Sequence, residues 1–85
     1  MYYTYVLKSL KDGKLYTGYT SDLEKRFTQH CTGLVKSTCN RRPLKIIYYQ
    51  AFISEQDARN EEKYLKSGSK PRNELKLRIK ESLIL

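Results

Sequence analysis

The sequence has one histidine, two cysteines and no tryptophan. A structural zinc wants four Cys or His ligands, so His30, Cys31 and Cys39 do not make one. The cysteines lack the Cys-x-x-Cys spacing, and free thiols in a reducing, cytoplasmic compartment are the plainer reading. Glycine and proline are also scarce, at four and two residues, which excludes collagen-like and low-complexity disordered chains. No apolar run approaches the ~18 residues of a membrane helix. The longest lies within Lys45 to Phe52. The start, Met-Tyr-Tyr-Thr-Tyr, has neither the basic nor the apolar region of a signal peptide. Acidic residues are few as well. The 85 residues give room for a single domain, 1–85, with a small core.

What the chain does have is positive charge and phenols. Seventeen Lys and Arg against nine Asp and Glu leave a net charge of +8. On so small a surface this favours a polyanionic partner, nucleic acid before membrane. A solvated basic surface that serves solubility is the bland alternative. The cations recur at Lys36, Arg41, Arg42 and Lys45, and again from Lys63 to Lys80, rather than in one tail.

Tyr2 to Ser9 is rich in Tyr, Thr and Val and reads as a strand. Asp12-Gly13 predicts a two-residue hairpin turn, because Gly accepts positive φ, and Lys14 to Thr20 forms the returning strand. Ser21-Asp22-Leu23-Glu24 reads as a capping box with Ser21 as the cap. The helix it opens runs to about Cys31 and ends at Gly33. Thr32 to Pro43 is a polar, basic loop. Leu44 to Ile53 is nearly continuously apolar, as in a central strand. Ser54 starts a second helix that Gly68 closes, and Pro71 opens a third. Leu75, Leu77 and Ile79 alternate like a strand, whereas Leu75, Ile79 and Leu83 fit a helix, which is preferred. The expected fold is α+β, a small three-stranded antiparallel sheet flanked by helices in the order β-β-α-β-α-(α).

Both helices turn charge inward. Leu23 and Phe27 mark the buried stripe of the first, and at 100° per residue Arg26 and His30 share it. On the second, Glu61 and Glu62 fall between the buried Ala58 and Leu65. Inward charge is costly unless it is paired or lies at a cleft. An Arg26–Glu62 bridge tying the two helices together fits the pattern as well as a site does. A two-residue turn puts Tyr5 and Tyr16 on one face of the hairpin, whereas a three-residue turn would separate them.

Tyr3-Thr4-Tyr5, ten residues, then Tyr16-Thr17-Gly18 resembles the paired motif of the GIY-YIG nucleases. The resemblance continues through Ser21 to Arg26, Arg41-Arg42-Pro43-Leu44 and Glu62 to Gly68. It is strongest to the small stand-alone subgroup related to the N-terminal domain of the excinuclease C subunit. The resemblance implies that Tyr5 and Tyr16 line an active site with Arg26 and His30, and that Glu62, rather than Glu61, binds metal. Asn73 is a candidate for a polar residue found after the second helix. Tyr3, Thr4 and Thr17 depart from the motif at scaffold positions.

The activity so implied is endonucleolytic hydrolysis of DNA phosphodiesters with one divalent metal, Mg²⁺ or Mn²⁺, as in DNA repair or recombination. A hard cation suits the oxygen of Glu62, with waters and phosphate completing its shell. Arg26 is fitted to fork onto phosphate, and a tyrosine to orient or deprotonate water, with His30 assisting. The residues leave open which phenol is the base. Expected DNA contacts are Arg41, Arg42, Lys45, Lys63, Lys66 and Lys70. Selectivity among branched, nicked and duplex DNA has to come from DNA shape or from a partner protein. The alternatives are a non-catalytic nucleic-acid-binding module of the same fold, and a basic structural protein.

Overall fold

The computed structural model describes residues 1–85. Its elements are β1 (Tyr2–Ser9), β2 (Leu15–Thr20), α1 (Leu23–Cys31), β3 (Leu44–Phe52), α2 (Glu55–Lys66), α3 (Ser69–Arg78) and α4 (Lys80–Ile84), with a 3₁₀ turn at Cys39–Arg41. The three strands form one antiparallel sheet in the order β2-β1-β3. This is the expected α+β architecture. One expectation fails: β3 is an edge strand, and β1 is central. The hydrophobicity of β3 misled because β1, for all its tyrosines and threonines, is the strand covered on both faces. Its residues Thr4 to Leu7 are at most 1% exposed, whereas Tyr49 and Gln50 of β3 lie open.

Successive residues of β1 face opposite layers. Val6 joins Ile47, Leu65 of α2 and Leu75 of α3 in the larger apolar core. Thr4 donates to the Ala58 carbonyl at 2.6 Å, and Lys8 to the Leu83 carbonyl at 2.7 Å, on that same side. Tyr5 and Leu7 face the other way, with Leu44, Leu23 and Phe27 beneath α1.

The hairpin turn is longer than expected. Ser9 N–H donates to the Lys14 carbonyl and Gly13 N–H to that of Ser9, each at 2.9 Å, so Leu10 to Gly13 make a four-residue loop. Gly13 takes the anticipated positive φ, +73°. The Ser9 hydroxyl accepts from Lys11 N–H at 3.1 Å and from Asp12 N–H at 3.2 Å, and that holds the wider loop. Two extra residues preserve parity, so Tyr5 opposite Gly18 and Leu7 opposite Tyr16 keep both phenols on one face.

Three helix ends also differ. Asp22, not Ser21, caps α1, accepting from Lys25 N–H at 3.1 Å from an extended backbone. Gly68 does not close α2 in a left-handed turn but lies extended ahead of α3, which begins at Ser69 with Pro71 inside its first turn. The third helical stretch is two helices, broken at Ile79. The loop from Thr32 to Pro43 is more than a polar strap: Val35 and Thr38 are buried in it, at 7% and 0% exposure. No helix is long and apolar enough to cross a membrane.

Candidate active site

On the α1 face, β1, β2 and α1 bring together three of the expected side chains. Tyr5 extends across the backbone of Gly18 on β2, where an added Cβ would lie 2.5 Å from its ring Cζ. Its hydroxyl lies 2.8 Å from Nε2 of His30, near the last turn of α1. The His30 ring stands edge-on to both phenols, with centroids 5.6 Å from Tyr5 and 5.2 Å from Tyr16. Nδ1 of His30 lies 2.7 Å from the Thr38 hydroxyl, so both ring nitrogens are engaged. Neither His30 nor Thr38 is solvent-exposed, and Tyr5 is 1% exposed.

The tautomer follows from the far end of this chain. The Thr38 hydroxyl lies 3.5 Å from the Val35 carbonyl, which can only accept. We assign the tautomer from this network: with Thr38 donating there, it accepts from Nδ1–H, and Nε2 accepts the Tyr5 proton. Burial, and then the nearby Arg26 charge, lower the His30 pKa from 6.5 to about 4. The imidazole is neutral at pH 7, as this assignment requires. Burial pushes the Tyr5 phenol above its ordinary 10.0; Arg26 pulls against it, and Tyr16 and Glu62 add to it. Tyr5 is thus a neutral, proton-committed phenol. The half-buried Tyr16 has no hydrogen-bond partner on its hydroxyl within the chain, and the residue lines a cleft of about 210 Å³ at the β2 edge together with Leu15, Thr17, Leu65, Lys66 and Arg72.

Arg26 sits close enough to act on Tyr5 and His30, and its own hydrogen bond is to Gln29 at 3.1 Å, within α1. Glu62 belongs to α2, on the opposite face of the sheet. Its carboxylate still acts on Tyr5, because β2 is an edge strand and α2 packs against both β1 and β2. Glu61 diverges from it and acts on Tyr48 instead. The helix-tying bridge is absent: Glu62 pairs with Lys66 at 2.9 Å, not with Arg26. This is an i,i+4 pair on one helix, with the Lys66 side chain half exposed and the carboxylate 23% exposed. One carboxylate with water and phosphate suits Mg²⁺, which keeps much of its hydration, and so the donor set fits.

The expected DNA contacts scatter. Arg41 pairs with Asp12 at 3.4 Å beside the hairpin turn. Arg42 donates from Nε to the Cys39 carbonyl at 2.8 Å and packs its guanidinium over Gly33. Lys45 pairs across the strands with Lys8, on the face away from Tyr16. Lys63, Lys70 and Asn73 are exposed on α2 and α3 and line no cleft with Tyr16. Thr38 and Arg72 escaped the sequence reading. Nothing in the composition of a polar loop marks Thr38, and Arg72 stood only as one cation among many.

A domain model described as the GIY-YIG catalytic domain matches residues 1–76. The chain belongs to the GIY-YIG family, whose domain is of the nuclease type. It is 44% identical over 69 residues to a UPF0213 protein of Streptococcus agalactiae, covering 80% of this chain and 77% of that one. A UPF0213 protein of Clostridium perfringens is 43% identical over 67 residues, covering 78% and 71%. The solution NMR structure of the UPF0213 protein BH0048 from Bacillus halodurans superposes with a TM-score of 0.57 at 35% identity, covering 94% of this chain and 86% of that chain.

Proposed function

We propose that the chain is a divalent-metal-dependent DNA endonuclease that hydrolyses phosphodiester bonds. The observation that carries this reading is the fully buried, fully hydrogen-bonded Tyr5–His30–Thr38 chain behind the partly exposed, unpaired phenol of Tyr16. Apolar packing would hold this face of the sheet more simply. A buried polar network that is satisfied end to end fixes side-chain orientation instead.

In this reading His30 clamps Tyr5, and both rings wall the position of Tyr16. The Tyr16 hydroxyl is free to orient the attacking water at the phosphate. Tyr5, with its proton committed to His30, can accept the water's proton only as its own moves to Nε2, a transfer that the buried imidazole resists. Tyr16 is therefore the phenol that meets the water and, as the phenolate, would take its proton, and Tyr5 positions it. Arg26 forks onto the phosphate and offsets the charge that grows on it. Glu62 would hold the Mg²⁺ or Mn²⁺, which supplies Lewis acidity at the phosphoryl oxygen and the leaving group. Choice among branched, nicked and duplex DNA, as repair and recombination demand, would rest on DNA shape or a partner protein.

A non-catalytic binding module is the second reading, and the Glu62–Lys66 pair favours it, because the carboxylate already has its charge partner. The test is cleavage of branched, nicked and linear DNA with Mg²⁺, with Mn²⁺ and with chelator, for the wild type and Glu62→Ala. The nuclease reading expects metal-dependent cutting that Glu62→Ala abolishes while DNA affinity holds or tightens slightly, since a carboxylate beside phosphate is repulsive. A folded Glu62→Ala that cuts at the wild-type rate, or a wild type that never cuts, overturns it.

A further inference from the structure

Two clefts adjoin on the side of the molecule formed by the hairpin turn, β2 and α3. The first, of about 210 Å³, is the one that Tyr16 lines. The second, of about 340 Å³, is lined by Asp12, Gly13, Lys14, Leu15, Arg41, Arg72 and Lys76. Leu15 and Arg72 line both, so the two lie side by side. Asp12 is the only carboxylate in either lining, and Arg41 neutralises it at 3.4 Å. Lys14 donates its backbone N–H to Asp12 Oδ1 at 2.8 Å, but no ion pair or hydrogen bond within the chain engages the ammonium of Lys14 or Lys76 or the guanidinium of Arg72. Lys25 and Arg26 line a separate cleft of about 500 Å³ that also holds the Asp22 carboxylate, and several other cations are already engaged. Lys66 is held by Glu62, Arg59 by Glu55, and Arg42 by the loop it supports. The apolar cleft of about 500 Å³ between α1 and β3 carries Asp22 and Glu24 at its rim, the wrong sign for a polyanion.

From this arrangement we infer that a nucleic-acid strand reaches Tyr16 along this cleft, with Lys14, Arg72 and Lys76 as its phosphate contacts. The inference rests on the nuclease reading for what happens at Tyr16, but the binding path does not depend on turnover. Unpaired cations in a walled cleft concentrate positive potential where a backbone can lie. Cations already paired within the fold must give up a partner before they gain a phosphate. Arg72, shared by both clefts, marks the place where the path passes from the hairpin turn to Tyr16.

The experiment measures duplex DNA affinity by fluorescence anisotropy in chelator, across a salt series. The variants are Arg72→Gln/Lys76→Gln and Lys45→Gln/Lys63→Gln, with helicity and melting recorded for each. Each phosphate contact contributes a slope of about −0.9 in log K against log salt. The cleft pair is expected to make the slope about 1.8 less steep, while the Lys45/Lys63 pair leaves it unchanged. An unchanged slope in the cleft pair, or an equal loss in the other pair, overturns the path. So does a wild type that binds anionic vesicles but no nucleic acid. Cleavage measured in parallel with Mg²⁺ separates the two claims. A wild type that cuts, with an unaltered slope in the cleft pair, keeps the nuclease and removes the path. A wild type that binds along the cleft but never cuts does the reverse.

Discussion

Tyr5 and Val6 are neighbours in β1, each at most 1% exposed, and they serve two different interiors. Val6 points into an apolar layer with Ile47, Leu65 and Leu75, closed by α2 and α3. Tyr5 points into a layer where His30 and Thr38 stand buried among the apolar side chains and every polar atom of the chain they form has a partner. The first layer is held chiefly by the exclusion of water, with Thr4 and Lys8 adding bonds to helix carbonyls, and it tolerates volume-conserving apolar changes best. The second is held by direction: each donor needs its own acceptor. One strand thus separates the part of the molecule that secures the fold from the part that fixes side chains for chemistry.

Substitutions on the two sides should therefore fail differently. Leu65→Ala opens a cavity in the apolar layer and should cost about 2–5 kcal/mol of stability in chemical denaturation. The folded fraction should keep its cleavage rate. Arg26→Ala should do the opposite, slowing cleavage by about 10²–10³-fold, as the loss of a preorganised charge donor does. Its melting temperature should stay close to that of the wild type, because its hydrogen bond to Gln29 lies within one helix and it forms no ion pair. If both variants lost stability and rate together, the division between the layers would be wrong.

A smaller effect sharpens the comparison. Thr38→Val keeps the shape but leaves Nδ1–H of His30 buried without an acceptor, which should cost about 1–3 kcal/mol. Its cleavage should fall as well, because the His30 tautomer that receives the Tyr5 proton is no longer enforced. The smallest effect is in pH. Unfolded His30 titrates near 6.5 and folded His30 near about 4, so between these values the unfolded chain binds the extra proton. Stability should then decline as pH falls from 6.5 towards 4 and lose nothing further from this group below that. His30→Gln should flatten that stretch of the melting-against-pH curve.

The sequence reading reached the polar layer through periodicity. The Leu23–Phe27 stripe turned Arg26 and His30 inward, and in the fold His30 is buried and Arg26 half-buried. It reached the shared face of Tyr5 and Tyr16 with the wrong turn, since two added residues leave a strand's faces unchanged. The place of β3 was misread because hydrophobicity reports burial, whereas centrality depends on pairing partners that only the assembled sheet defines. Glu61 and Glu62 were inseparable for a similar reason: adjacent positions on a helix differ by 100°, and only the neighbours decide which carboxylate meets which phenol. The DNA contacts were chosen by nearness in sequence, and the fold sends most of them elsewhere. Arg42 is taken up by the Cys39 carbonyl and Gly33, and Lys45 sits on the other face.

Gly18 has no side chain, and its φ lies outside the range that demands glycine. What it contributes is a vacancy: the Tyr5 ring fills the space that a methyl group would claim. The shape of the polar layer is therefore cast against a bare stretch of backbone. Alanine there would not strain the strand, yet it would lever the phenol away from His30 and unlock the hydrogen-bonded chain as far as Thr38. The position behaves as a mould, and a mould is ruined by added material as surely as by loss. A mutational map of this molecule should accordingly contain an inactivating position that bears no functional group.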